Sequence, residues 1–320
     1  MTTYSIMMPF MPTRHEQALP LAALVASGAA DRLWQGQALM SEPYQTFTYA
    51  AASGFRIPVG TAVTLMPFRH PIEAALQAKS LAVTTGHPVV AGIGPGAAIL
   101  QKNVLGAPYR SQLGAVREYF TIMGGLLAGR EVELRGEYFD CRIELPSLPG
   151  PRVELGAGVL RPKMARLAGE VADVAITWLT PPKYLRDVIV PELRAGAEAA
   201  GRPMPRLVAM VPVALTAPGR DPAKLVLAGN TGHLSMPHYQ DMLRRSGIDV
   251  DQPDPLAVAK AVIEGGAFVH GDIGEVRDRL VEYAAVGVDE IALNLTGVCQ
   301  VEGLPSALAD LRAMLPELTR

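Results

Sequence analysis

From end to end the chain alternates short apolar runs with amphipathic stretches of helical period, which confines it to parallel α/β architectures. Strands are expected at Tyr4–Met8, Leu33-Trp34, Ile57–Thr64, Pro88–Ile93, Arg152–Leu155, Val174–Trp178, Leu207–Leu215 and Glu290–Leu295. A helix around Gln17–Ser27 follows the first of these. Pro71 opens another, at a position where its missing N–H costs nothing. Leu113, Val116, Phe120, Met123 and Leu127 recur at helical spacing, and Gly129 stands just past their end. Helices are also expected from Pro162, over Pro182–Ala200 and over Leu304–Leu315, and one is capped by Asp272 with Glu275 three residues on. Residues 94–110 read as a looser stretch, 130–150 as a small hairpin and 216–270 as the main insertion. Eight strands in 320 residues favour a (β/α)8 TIM-type barrel over a doubly wound sheet, which also fits the alternation. Residues 1–320 are read as one barrel domain with insertions near 130–150 and 216–270. In either architecture the chemistry belongs at the C-terminal ends of the strands.

Several function classes lack support. A formal charge of −2 is not the basic footprint of a nucleic-acid binder. No apolar run reaches the roughly 18 residues of a membrane span. Met1–Phe10 has no basic segment and reads as a first strand rather than a signal peptide. Cys141 and Cys299 stand far apart without a CxxC, as reduced thiols of a cytosolic protein do. No metal site is expected: there is no HExxH or HxH, and His233 and His238 are five apart with Pro237 between them. GxSxG and P-loop motifs are absent as well.

Three segments remain as candidate site elements. Gly92-Ile93-Gly94-Pro95-Gly96 follows a strand but has GxGxG rather than GxGxxG spacing. It reads as a loop where backbone approaches a ligand, or as a plain tight turn. Gly156-Ala157-Gly158-Val159-Leu160-Arg161-Pro162-Lys163 leads into a helix whose free N–H groups suit a phosphate, with Arg161 or Lys163 adding charge. The alternative is an ordinary strand-to-helix turn. Trp178, at a strand end, is either a flat surface for a substrate or flavin or a rim tryptophan of the core.

Five segments, in order, resemble the luciferase-like flavin-dependent oxidoreductases, including their F420-dependent branch. They are Arg56-Ile57-Pro58-Val59-Gly60-Thr61-Ala62-Val63 with Arg69-His70-Pro71; Val90 to Gly96; Gly136-Glu137-Tyr138-Phe139; Pro162 to Asp173; and Gly274-Glu275-Val276 through Gly287-Val288-Asp289-Glu290-Ile291. The resemblance implies a barrel with a flavin or deazaflavin ring across the strand ends and a homodimer. Thr61, Ala62 and Val63 would support the ring. If a non-prolyl cis peptide of the kind found in that branch is present, Ala62–Val63 is its place. Gly94, Gly96 and Ala97 would line the ribityl chain, and Gly158, Val159 and Leu160 would offer N–H groups to the phosphate, with Lys163 and Trp178 nearby.

FMN-using relatives often hold an arginine in the loop after the fourth strand; Gly94-Pro95-Gly96-Ala97 has none, which favours coenzyme F420 over FMN. Some F420 dehydrogenases place an acid/base histidine after the second strand. Gln37 stands there instead, and an amide shuttles no proton at neutral pH. The expected reaction is therefore reduction by F420H2 of an activated C=C or C=N bond in a small or peptide-like substrate, of which a dehydro residue in a natural product is one concrete form. Gln37, His15 and Tyr44 are the candidate catalytic residues, with His70 the more ordinary turn residue. Leu39–Phe47 and the 216–270 insertion would shape the substrate pocket. The alternatives are an FMN-dependent monooxygenase and a non-catalytic flavin-binding protein.

Overall fold

The computed structural model describes residues 2–318; Met1, Thr319 and Arg320, at the ends of the expected domain, lie outside the described residues. Eight parallel strands close into a barrel: β1 (Thr3–Met7), β2 (Leu33–Gln35), β3 (Val59–Thr61), β5 (Val89–Gly94), β8 (Val153–Gly158), β9 (Val174–Trp178), β10 (Arg206–Leu215) and β12 (Glu290–Asn294). Pairing of β10 with β9 and of β12 with both β10 and β1 completes the ring. Two short strands extend it: β4 (Thr64–Leu65) beside β5 and β11 (Val269–Gly271) beside β10. An antiparallel hairpin, β6 (Val132–Arg135) with β7 (Asp140–Ile143), lies where a small hairpin was expected.

Helices cover the outside. They are α1 (Leu19–Ala26), α2 (Pro43–Ala52), α3 (Pro71–Thr85), α4 (Ala98–Leu105), α5 (Gln112–Leu127), α6 (Pro162–Val171) and α7 (Pro182–Tyr184), which runs through a π turn into α8 (Val190–Ala199). The segment between β10 and β11 folds as α9 (Pro222–Leu234), α10 (Pro237–Arg245) and α11 (Pro255–Glu264); α12 (Ile273–Ala285), α13 (Thr296–Glu302) and α14 (Leu304–Leu318) follow. The capping box read at Asp272 and Glu275 forms, with both reciprocal hydrogen bonds present.

Alternation of side chains along each strand divides the core in two. One row faces the helices. The other fills the barrel with Met7, Trp34, Val90, Val174, Ile176, Val208, Met210 and Ala292. Below that layer the barrel is plugged by charge. Glu290 accepts hydrogen bonds from Ser5 Oγ and Trp34 Nε1, both at 2.7 Å, and pairs with Arg32 and Arg206 at 3.4 Å. Arg206 also meets Glu154 at 2.9 Å. Every oxygen of the buried carboxylate therefore has a partner, as a buried charge requires.

Four local readings are corrected. The stretch 94–110 contains α4, whose short, mostly exposed sequence carries no apolar stripe; the buried Gln101 ties it to the loop before it. Gly156 to Gly158 are strand, not loop. Their glycines mimic a turn signal, but at Gly156 a Cβ would stand 2.8 Å from Ile176 Cδ1 and 3.1 Å from Gly92 Cα, so close packing demands glycine there. The third strand is interrupted after Thr61, and Val269–Gly271, across the end of the expected 216–270 insertion, pair with β10.

Candidate active site

At the C-terminal end of the barrel the inward row becomes small. Gly36, Ala62, Gly94 and Gly158 occupy the positions above the apolar layer on one side of the mouth, and Trp178 stands on the other. The Ala62–Val63 peptide bond is cis, at the position to which the resemblance pointed. Val63 lies between two of the glycines: a Cβ at Gly94 would be 2.6 Å from Val63 Cγ2, and one at Gly158 would be 3.4 Å from Val63 Cγ1. On the other flank a Cβ at Gly36 would be 3.1 Å from the Ala62 carbonyl oxygen. The result is a shallow cradle with a single β-branched side chain as its floor.

Hydrogen bonds hold this floor from both sides. Ala62 N–H donates to Gln35 O at 3.0 Å and Gln37 N–H to Val63 O at 3.1 Å. Gln37 Oε1 accepts from Leu65 N–H at 2.8 Å. Toward β5, the hydroxyls of Thr61 and Thr64 both donate to Gly92 O, at 2.9 and 3.1 Å. Gln101 Nε2 donates to Pro95 O and Gly96 O at 3.0 and 2.9 Å, pinning the glycine loop beside Ala97.

At the start of α6 the N-cap, Arg161, makes no side-chain cap, and the N–H groups of Leu160, Arg161 and Lys163 make no backbone hydrogen bond. The side chains of Arg161 and Lys163 are exposed. Val159 differs from the expectation: its N–H is donated to Ile176 O at 2.8 Å, because the β8–β9 ladder continues past Leu155, where the sequence reading ended the strand, through Gly158. The donors at this helix start are thus Leu160, Arg161 and Lys163.

The three candidate catalytic residues do not converge. Gln37 is at the mouth, with its carbonyl spent on Leu65. Tyr44 lies in the outer layer behind β3, with Arg69 5.4 Å from its ring centroid; burial pushes its hydroxyl up to about 12. His15 packs against α2, its Nδ1 3.1 Å from Thr46 Oγ1 and its ring 6.1 Å from that of Tyr49. His70 caps α3 by accepting from Ile72 N–H.

The insertion contributes residues that the sequence did not single out for the site. His233 stacks on Trp178 at 5.0 Å and 26°, and Tyr239 meets His233 edge-on at 5.0 Å. Their only sequence signal was the His233/His238 pair, read there against a metal. Among the described residues no group of three or more His, Cys, Asp or Glu is arranged to hold a metal. A cavity of about 870 Å³ lies away from this mouth, between the 144–152 strap, α5 and the starts of β8 and β9. No described helix is long and apolar enough to cross a membrane.

A closed parallel barrel with a small-residue cradle at its C-terminal mouth defines a TIM-type enzyme scaffold. The chain belongs to the luciferase-like monooxygenase family, whose model matches residues 7–290. It is 30% identical over 240 residues, 74% of this chain and 70% of the relative, to a 5,10-methylenetetrahydromethanopterin reductase of Methanolobus tindarius. An F420-dependent glucose-6-phosphate dehydrogenase of Mycolicibacterium fortuitum is 27% identical over 82% of this chain and 80% of its own. Among solved structures, the coenzyme F420-dependent tetrahydromethanopterin reductase of Methanopyrus kandleri superposes with a TM-score of 0.77 at 19% identity, covering 99% of each chain. The oxygenating constituent of 3,6-diketocamphane monooxygenase of Pseudomonas putida, in complex with FMN, superposes with a TM-score of 0.74 at 17% identity over 99% of this chain and 98% of that one. The chain is an oxidoreductase of this family.

Proposed function

We propose that this protein binds coenzyme F420 at the barrel mouth and uses its reduced form to reduce an activated C=C or C=N bond of a small or peptide-like substrate. The residues present suit such a group. Gly36, Gly94 and Gly158 leave room for a flat ring over Val63, and the uncapped start of α6, with Arg161 and Lys163, suits a phosphate. F420-dependent relatives on both the sequence and the structure side support the cofactor. When bound, the deazaflavin supplies a hydride and no oxygen chemistry.

One observation carries the choice of reduction over alcohol oxidation. Gln37, which by the resemblance stands where some F420 dehydrogenases hold an acid/base histidine, has its carbonyl committed to Leu65 N–H, and an amide relays no proton at neutral pH. The chain's own residues thus support, orient and enclose. In this reading the proton needed after hydride delivery to carbon comes from solvent. The protein is taken to act in the cytosol, as a homodimer; light scattering should return twice the 34.0 kDa chain mass.

Separate titrations with F420 and FMN test the cofactor: F420 should bind at least tenfold more tightly. Tight FMN binding with negligible F420 binding would sink the proposal. Deuteride should pass stereospecifically from deuterated F420H2 to product. The FMN-dependent monooxygenase reading is favoured by the similarity to the diketocamphane enzyme, and it requires oxygen consumption coupled to turnover.

A further inference from the structure

Trp178 ends β9 on the inward row and packs on the barrel's apolar layer. Its indole Nε1 is buried and has no hydrogen-bond partner. The other tryptophan differs in this respect, since Trp34 Nε1 donates to Glu290 at 2.7 Å deep in the plug. An indole N–H is an obligate donor, and buried donors normally find an acceptor.

Two further features show that the position of this indole is built rather than incidental. The next residue, Leu179, is fully buried with φ of 55°, a left-handed conformation that a branched aliphatic side chain rarely adopts. Such outliers collect at functional sites. On the open face, His233 lies flat against the indole at 5.0 Å, and its ring makes no hydrogen bond. Burial and the neighbouring His238 push this imidazole down to about 4, so it stays uncharged around neutrality.

The helix that carries His233 is fixed in place. At Gly229 a Cβ would stand 2.8 Å from Gly297 N, and at Gly297 one would stand 2.4 Å from Leu225 O, so α9 and α13 touch backbone to backbone. Arg220, just before α9, is held by Glu302 and Asp310, each at 2.7 Å. The insertion therefore presents His233 over the mouth on a rigid support.

We infer that Trp178 is a substrate-binding residue whose indole N–H donates to an acceptor atom of the substrate, a carbonyl oxygen or imine nitrogen conjugated to the bond reduced, and that His233 is the positioning residue that fixes the indole plane. This rests on the mouth being the cofactor and substrate site, and it narrows the substrate to compounds with an acceptor beside the reducible bond. A neutral imidazole suits the positioning role, because it covers the indole without a desolvated charge.

The test uses full-length protein with 15N-labelled tryptophan, which gives two indole N–H resonances that the W178F variant assigns. The protein is loaded with oxidised F420, so no turnover occurs, and titrated with 2-cyclohexen-1-one or with cyclohexene, which lacks the acceptor. The Trp178 resonance should move downfield with the enone and not with cyclohexene, while the Trp34 resonance stays in place and reports the intact fold. H233A should weaken enone binding about tenfold, the size of one lost hydrogen bond; H233F should restore it, because a phenyl ring keeps the stack. F420 affinity, read from the cofactor's own fluorescence, should stay within twofold in both variants. Complete movement of the Trp178 resonance on F420 alone would place the acceptor on the cofactor and overturn the proposal. No movement with the enone at its solubility limit would overturn it too, as would equal enone affinity in H233A and wild type. If FMN binds and F420 does not, the cofactor reading fails alone, and the same titration on FMN-loaded protein decides this one.

Discussion

Gly92 and Gly94 face the same way on β5, two residues apart, yet a methyl group at each meets different neighbours. At Gly92 it would lie 1.8 Å from Thr61 O and 2.7 Å from Ile176 Cδ1, inside the packed barrel. At Gly94 it would lie 2.6 Å from Val63 Cγ2, at the open mouth. Gly92→Ala should therefore cost about 3 kcal/mol or more and yield little folded protein. Gly94→Ala should keep the melting temperature within a few degrees while weakening F420 binding at least tenfold, checked by thermal melts and cofactor titration on the same samples. An unchanged F420 affinity would remove the cradle from the cofactor reading. His233 sets a second expectation. Its folded pKa is depressed to about 4 against an ordinary value of 6.5, so the unfolded chain binds the extra proton first as pH falls. The stability associated with the neutral ring is present above pH 6.5 and is lost as pH falls toward 4. His238 and His270, also lowered by burial, act in the same direction. Melting temperature should fall across that window, and less steeply in H233F.

The helix α6 is asked to do two things, one at each end of its sequence pattern. Its start offers uncapped N–H groups with Arg161 and Lys163 beside them. Its body packs on α8 through glycines so close that a Cβ at Gly196 would fall 1.9 Å from Arg166 O, and one at Gly169 would fall 2.2 Å from Leu193 O. These roles should separate. Arg161→Ala with Lys163→Ala should weaken F420 binding about tenfold and flatten its salt dependence, leaving denaturant midpoints in place. Gly196→Ala should lower stability by about 1–3 kcal/mol in urea unfolding, with cofactor affinity of the folded fraction preserved. Much at this scale was legible in advance. The Pro162 helix start, the Asp272 capping box and the helix ending before Gly129 depend on residues within a few positions of each other, so local sequence encodes them. The length of β8 was not legible. Glycine is a poor strand former, and only its close packing on Gly92 and Ile176 makes strand the better state for Gly156 to Gly158.

Across the whole molecule, a charged plug closes one end of the barrel and an aromatic pair from a distant insertion borders the other. The plug ties β1, β2, β8, β10 and β12 through Glu290 and its partners, so Glu290→Ala leaves Arg32, Arg206 and Trp34 Nε1 without their shared acceptor. Loss of one partner from a buried pair costs about 3–5 kcal/mol, and denaturant unfolding should show a drop of that size. The alternation of strand and helix, the eight-strand count and the family segments were all carried by the sequence, because each strand and helix announces itself by a local period. The ordered family segments also pointed to Thr61 to Val63 as the proposed ring support, but not to the hydrogen bonds with Gln35, Gln37 and Gly92 that hold this stretch. Which side chains share the mouth was a matter for tertiary structure alone. Trp178 and His233 are 55 positions apart, and nothing local to either marks the pairing; it exists because Gly229 and Gly297 let α9 lie against α13 and carry its last turn over β9. Local periodicity sets which elements form, since it acts within one segment. The composition of the mouth depends on how segments from different strands and an insertion pack, and no single stretch of chain encodes that.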